Sequence, residues 1–292
     1  MEKDELTTTQ NNSTSATANK IFSTDLIIVA VCFLIALGGF AYILLTLPGL
    51  PSPSPVKMFK GWKLGLIIAH VLVFVLIPLA MRVFYESLKA LGLPYVFASQ
   101  LGLAFIMVAI ASEIGWHVSQ SWFYQNQFTM LNFMFYFFLI SAFALWSDSL
   151  LEKKTKLSHV IDILFAISLL VVSIFYSLGA SQDPPNDSFK IPIYIALTLV
   201  FGVLTYRGYQ VLKDWKIILV PIFSVGVNLA FISLLDKYVC PPYTETRVAL
   251  NALFHILHDV LGTELGIAIF TYLIYSKGIA AQRKKTESAS QT

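Results

Sequence analysis

Glu113 and His117 stand four residues apart in one long apolar run of the 292-residue chain. Asn251, His255 and Asp259 repeat that stride in another run, with His258 beside them. Residues four apart share one face of an α-helix. Imidazole nitrogens and carboxylate oxygens presented from two such faces make a cage suited to zinc, and iron or manganese would also fit it. The candidate metal ligands are His117, His255, Glu113 and Asp259. A metal held there would lower the pKa of its bound water and polarise a carbonyl. In such a site the catalytic candidates are Glu113 or Asp259, as a further ligand or general base, and His258, as an outer or proton-transferring group. The simpler alternative for Glu113 and His117 is an interhelical hydrogen bond that locks neighbouring helices together.

The surroundings of these residues are those of a membrane protein. The chain is 57% hydrophobic and only 13% charged, with a mean hydropathy of +0.72. Soluble domains are roughly 45–50% apolar and about 25% charged. Too little polar surface remains to cover a water-soluble globule, which excludes a soluble enzyme, a nucleic-acid binder and a disordered regulator. Cys32 falls in an apolar run and Cys240 between two others, so no structural disulfide is expected. The first 24 residues are polar and lack the basic start and brief apolar core of a cleavable leader.

A helix needs about 20 apolar residues to cross the hydrocarbon core. Eight stretches qualify, at about 25–47, 64–84, 95–117, 129–147, 159–179, 191–211, 216–236 and 248–275. Pro48-Gly49, Asp183-Pro184-Pro185-Asn186 and Cys240-Pro241-Pro242 punctuate them, because proline cannot continue a helix. The expected fold is an all-α polytopic bundle of about eight transmembrane helices. It divides into a polar N-terminal tail at 1–24, a membrane domain at 25–276 and a basic, polar C-terminal tail at 277–292. Strands are excluded by segment length. Of the 20 Lys and Arg residues, 14 fall on the side shared by both termini, and the positive-inside rule makes that side cytoplasmic.

With that orientation, polar residues from distant spans reach one layer in the outer third of the bundle. Glu113 and His117 come from the third span, Asn132 from the fourth, Asp236 from the seventh, and Asn251, His255, His258 and Asp259 from the eighth. His70 of the second span lies near the same level and reads as a structural histidine; Glu264 sits mid-membrane, with Asn228 at similar depth. Ionisable groups in the bilayer are costly and mark functional positions by default. Asp148, and His159 with Asp162, mark cytoplasmic helix ends. No mid-helix lysine suits a retinal Schiff base, since the last span offers only Lys277 at its end. Walker, dinucleotide-turn and His-Glu-x-x-His motifs are absent.

The order of these residues resembles the CREST superfamily of membrane hydrolases, which includes alkaline ceramidases, Per1-type lipid remodelling proteins and the progestin and adiponectin receptor family. The stretch Phe254-His255-Ile256-Leu257 with Leu261-Gly262 and Leu265 is similar to the last helix of alkaline ceramidases. The resemblance implies a zinc site in which His117 and His255 take family histidine positions, on a seven-helix core preceded by one extra N-terminal helix. Glu113 stands in place of the family serine, next to Ser112, and Asn251 in place of a histidine.

Two functions are therefore expected. One is a metal-dependent hydrolase of a lipid amide or ester, with zinc as cofactor and a lipid-like substrate entering from the membrane. The other is a non-enzymatic membrane protein (a transporter, receptor or complex subunit) that uses the same polar layer to bind a small ligand, proton or cofactor. Membrane lipid is the expected partner in both, and nucleic acid in neither.

Overall fold

The structure is a computed structural model and describes residues 60–119, 129–182, 186–227, 229–231, 250, 253–254 and 256–290. At 60–67, 116–119 and residues 187, 259 and 263 it describes the backbone alone. Among the described residues there is no strand, and the bundle is polytopic and all-helical, as the apolar runs require.

Five long helices run from α1 to α5: α1 Lys60–Ala90, α2 Val96–Ser119, α3 Met130–Ser149, α4 Lys156–Ala180 and α5 Ile191–Leu212. A last long helix, α6, spans Leu265–Ser290. Six described segments are long and apolar enough to cross a membrane, at 68–90, 96–115, 130–149, 156–180, 188–212 and 256–290. They coincide with the second to sixth and the eighth expected spans. The seventh is not one continuous α-helix. It begins as a 3-10 turn at Trp215–Ile218, passes through one α-turn at Leu219–Pro221 and becomes π-helical over Ile222–Val227. The first expected span, 25–47, lies outside the described residues. Helix α6 continues through Lys277, where the basic, polar C-terminal tail is expected to begin, to Ser290.

Local sequence explains the helix ends. Thr129 caps α3 by accepting from the Asn132 amide at 3.1 Å. Thr155 and Ser158 form a reciprocal capping box at the start of α4. Hydrophobicity alone does not hold helices together in lipid, so close packing through small residues and aromatic contacts matters more. Gly102 lets α2 lie against α3: a Cβ there would fall 2.9 Å from the Ala142 carbonyl oxygen and closer still to the Trp146 ring. Trp146 is fully buried, stacks on Phe84 of α1 at 5.1 Å and meets Phe270 of α6 at 5.5 Å. Phe143, one turn earlier, reaches Phe201 of α5 at 4.3 Å. This aromatic node ties four helices together. Outward-facing Leu72, Val75, Leu76 and Leu79 of α1 are more than half exposed, as a lipid-facing surface should be.

Candidate functional site: a cavity lined by His70, Glu113 and Glu264

The cavity is built by α1, α2, α3 and the region where the last helix begins. His70 lies within α1, eight residues before Pro78. Glu113 lies on α2, six residues before its end at Ser119. The imidazole Nε2 of His70 is 3.1 Å from Glu113 Oε2, with the side chains only 4% and 12% exposed. At that burial the contact is desolvated, unlike a surface salt bridge.

His70, Glu113 and Glu264 line one cavity of about 30 Å³, whose remaining wall is apolar and includes Val73, Ile110 and Phe135. That volume is enough for one or two waters, given that one needs roughly 10–15 Å³. Glu264 ends a π-helical turn, Asp259–Glu264, that runs directly into α6. π-helical turns are rare and frequent at functional sites. Here the turn packs against the π-helical segment of the seventh span. The approach is close: a Cβ on Gly266 would overlap the Ser224 hydroxyl and lie 3.2 Å from its Cβ.

The polar residues singled out in the sequence divide into several groups. Glu113 enters the cavity, but with His70, which the sequence reading treats as structural. Glu264, left without a role there, shares the same wall. Asn132 is not at the cavity: its side-chain Oδ1 accepts from the Tyr176 hydroxyl at 2.9 Å, which also bonds Thr129 and so pins α3 to α4. Asp148 and Asp162 are joined by Lys154, whose ammonium donates to both at 2.5 and 2.6 Å. His258 is partly buried one position before the π-helical turn. His255, Asn251, Asn228 and Asp236 lie outside the described residues, as do the side chains of His117 and Asp259. Among the described residues no group of three or more His, Cys, Asp or Glu is placed to hold a metal ion.

The sequence reading missed a second charged assembly. Arg207 counts there as a terminal basic residue of the sixth span, yet it is 5% exposed. Its guanidinium donates to Asp148 at 2.5 Å and to the Ser147 hydroxyl at 3.0 Å. Together with Lys154 and Asp162 it makes a charge-balanced cluster that ties α3, α4 and α5 at one end of the bundle. Burial pulls the Lys154 ammonium down, but Asp148 and Asp162 more than offset that and hold it above its ordinary value. The spacing of Asp148 and Arg207 across two spans gave no local signal of the pairing.

The chain matches, over residues 62–280, the family described as a seven transmembrane receptor (7TM_cyano). Neither a curated protein nor a solved structure matches it. The matched region begins after the first expected span and takes in the second to the eighth. The match overturns the resemblance to the CREST hydrolases, which rested on a few polar positions with departures in the motif itself. With three quarters of its length inside the match, this multi-pass membrane protein belongs to the seven transmembrane receptor family.

Proposed function

We propose that this protein is a non-enzymatic receptor-type membrane protein in which the His70–Glu113–Glu264 cavity takes up the smallest of ligands, a proton. The observation that carries this reading is the meeting of an imidazole and two carboxylates at one small cavity of a seven-transmembrane-receptor chain. A carboxylate and an imidazole can each carry a proton, and at a shared cavity a proton on one changes its attraction to the others. A proton added or removed there alters the attraction between α1, α2 and the π-helical entry to α6. The helix contacts at that junction then transmit the change, which a hydrolytic mechanism does not require. The volume of the cavity suits water or a proton.

The same reading places the basic end of the bundle, which holds the end of α6, toward the cytoplasm. The proton reading is tested by hydrogen exchange of the full-length protein in detergent between about pH 5 and 8, the interval in which histidine titrates. Protection near Glu264 and Gly266, taken relative to the intrinsic exchange rate at each pH, is expected to change with pH in the wild type and much less in Glu264→Gln. Identical pH dependence in both proteins contradicts the proposal.

A further inference from the structure

We infer that the turn Lys213–Lys216, at the end of α5, is a docking site for the headgroup of an anionic phospholipid. The backbone supplies the first observation. Lys213 closes α5 in the left-handed conformation, at φ 51° and ψ 34°. That position ordinarily takes glycine or asparagine, because a Cβ crowds the backbone there. A lysine at a strained position is an outlier from which a function can be argued.

The turn is also pinned from behind. Ile217 is buried and packs 3.0 Å from where a Gly208 Cβ would stand, with Leu150 beside it. The Asp214 carboxylate is occupied as the cap of the 3-10 turn, accepting from the Lys216 amide at 3.0 Å. Lys213 donates to the Gln210 side-chain oxygen at 3.1 Å, and among the described residues neither lysine forms an ion pair with a carboxylate. Fixing Ile217 inward leaves Lys213, Trp215 and Lys216 facing outward, with Trp215 68% exposed.

Chemistry and depth select the occupant. Tyr206 and Tyr209, one to two turns earlier on α5, are 61% and 46% exposed. Tyrosine and tryptophan with one apolar and one polar end collect at the membrane–water boundary. Two ammonium groups flanking an exposed indole at that level face lipid phosphates. The indole body has the apolar upper chain for a neighbour, and the ammoniums have the phosphodiester and its uncompensated charge. A zwitterionic headgroup carries its own cation and gains less from the same contact.

Tryptophan quenching tests the site directly. The full-length protein is placed in vesicles containing brominated phosphatidylglycerol or, at equal mole fraction, brominated phosphatidylcholine. The difference between wild type and Trp215→Phe isolates the Trp215 signal. The proposal predicts stronger quenching by phosphatidylglycerol, weakening as salt is raised. Lys213→Gly removes a charge while relieving the left-handed strain, so it keeps the fold. With Lys216→Gln it should lower the preference by about fivefold for each charge removed, as expected for a basic residue near an anionic surface. Equal quenching by the two lipids in the wild type overturns the proposal, as does a preference unchanged in the double variant. Quenching by neither lipid would mean that a protein partner or water, not lipid, covers the turn, and overturns it as well.

Discussion

At the scale of single residues, the buried His70–Glu113 pair separates what sequence can say from what only packing can. Truncating one partner of a buried pair leaves the other charge desolvated, at a cost of about 3–5 kcal/mol. His70→Leu or Glu113→Leu alone should therefore lower thermal stability in detergent strongly. The double variant His70→Leu, Glu113→Leu should recover much of that loss, because no orphaned charge remains. Additive losses in the double variant would show that the two side chains do not act as a pair. Lys154 offers a prediction in pH. Its carboxylate partners raise its folded-state pKa, so its contribution is fully present below the ordinary lysine value of 10.5 and is lost as pH rises through the higher folded value. The stability curves of wild type and Lys154→Met should converge along this alkaline limb. A gap that stays constant there would contradict the assignment.

Between elements, close approach decides the geometry, and this is where sequence is least informative. Gly102 and Gly266 look alike in the sequence, each in an apolar run. In the fold, one admits the Ala142 carbonyl and Trp146, and the other admits Ser224 at the meeting of two π-helical turns. Gly102→Ala should destabilise the protein by about 1–3 kcal/mol through overpacking. Gly266→Ala should cost a similar amount and be partly rescued by Ser224→Gly; a thermal melt of each variant checks both. No loss in Gly102→Ala would mean that α2 and α3 are not in the contact described. Long spans were legible because hydropathy needs only composition, and the loops because proline cannot continue a helix. The polar layer was legible in part, since depth along a span follows from counting residues. What counting cannot give is rotation about the helix axis. Counting pairs Glu113 with His117, four residues on, while rotation also brings Glu113 to His70 on another helix; the side chain of His117 lies outside the described residues. The π-helical turn at Asp259–Glu264 likewise breaks the regular α-helical stride by which counting would place Glu264.

For the whole molecule, the asymmetry of charge predicts by the positive-inside rule that the end of the bundle holding the end of α6 faces the cytoplasm. In a Cys32→Ala, Cys240→Ala background, Ser288→Cys should react with a membrane-impermeant maleimide in inverted vesicles but not in intact cells; the reverse pattern would refute the orientation. The family assignment and the cavity together make proton uptake the central claim. The most direct measurement is infrared difference spectroscopy of the full-length protein in lipid between about pH 5 and 8, across the range of an imidazole beside carboxylates. The account predicts a protonated-carboxyl band that appears on acidification and is lost or shifted in Glu113→Gln or Glu264→Gln. A spectrum without such a band, or with one that both substitutions leave unchanged, would contradict it.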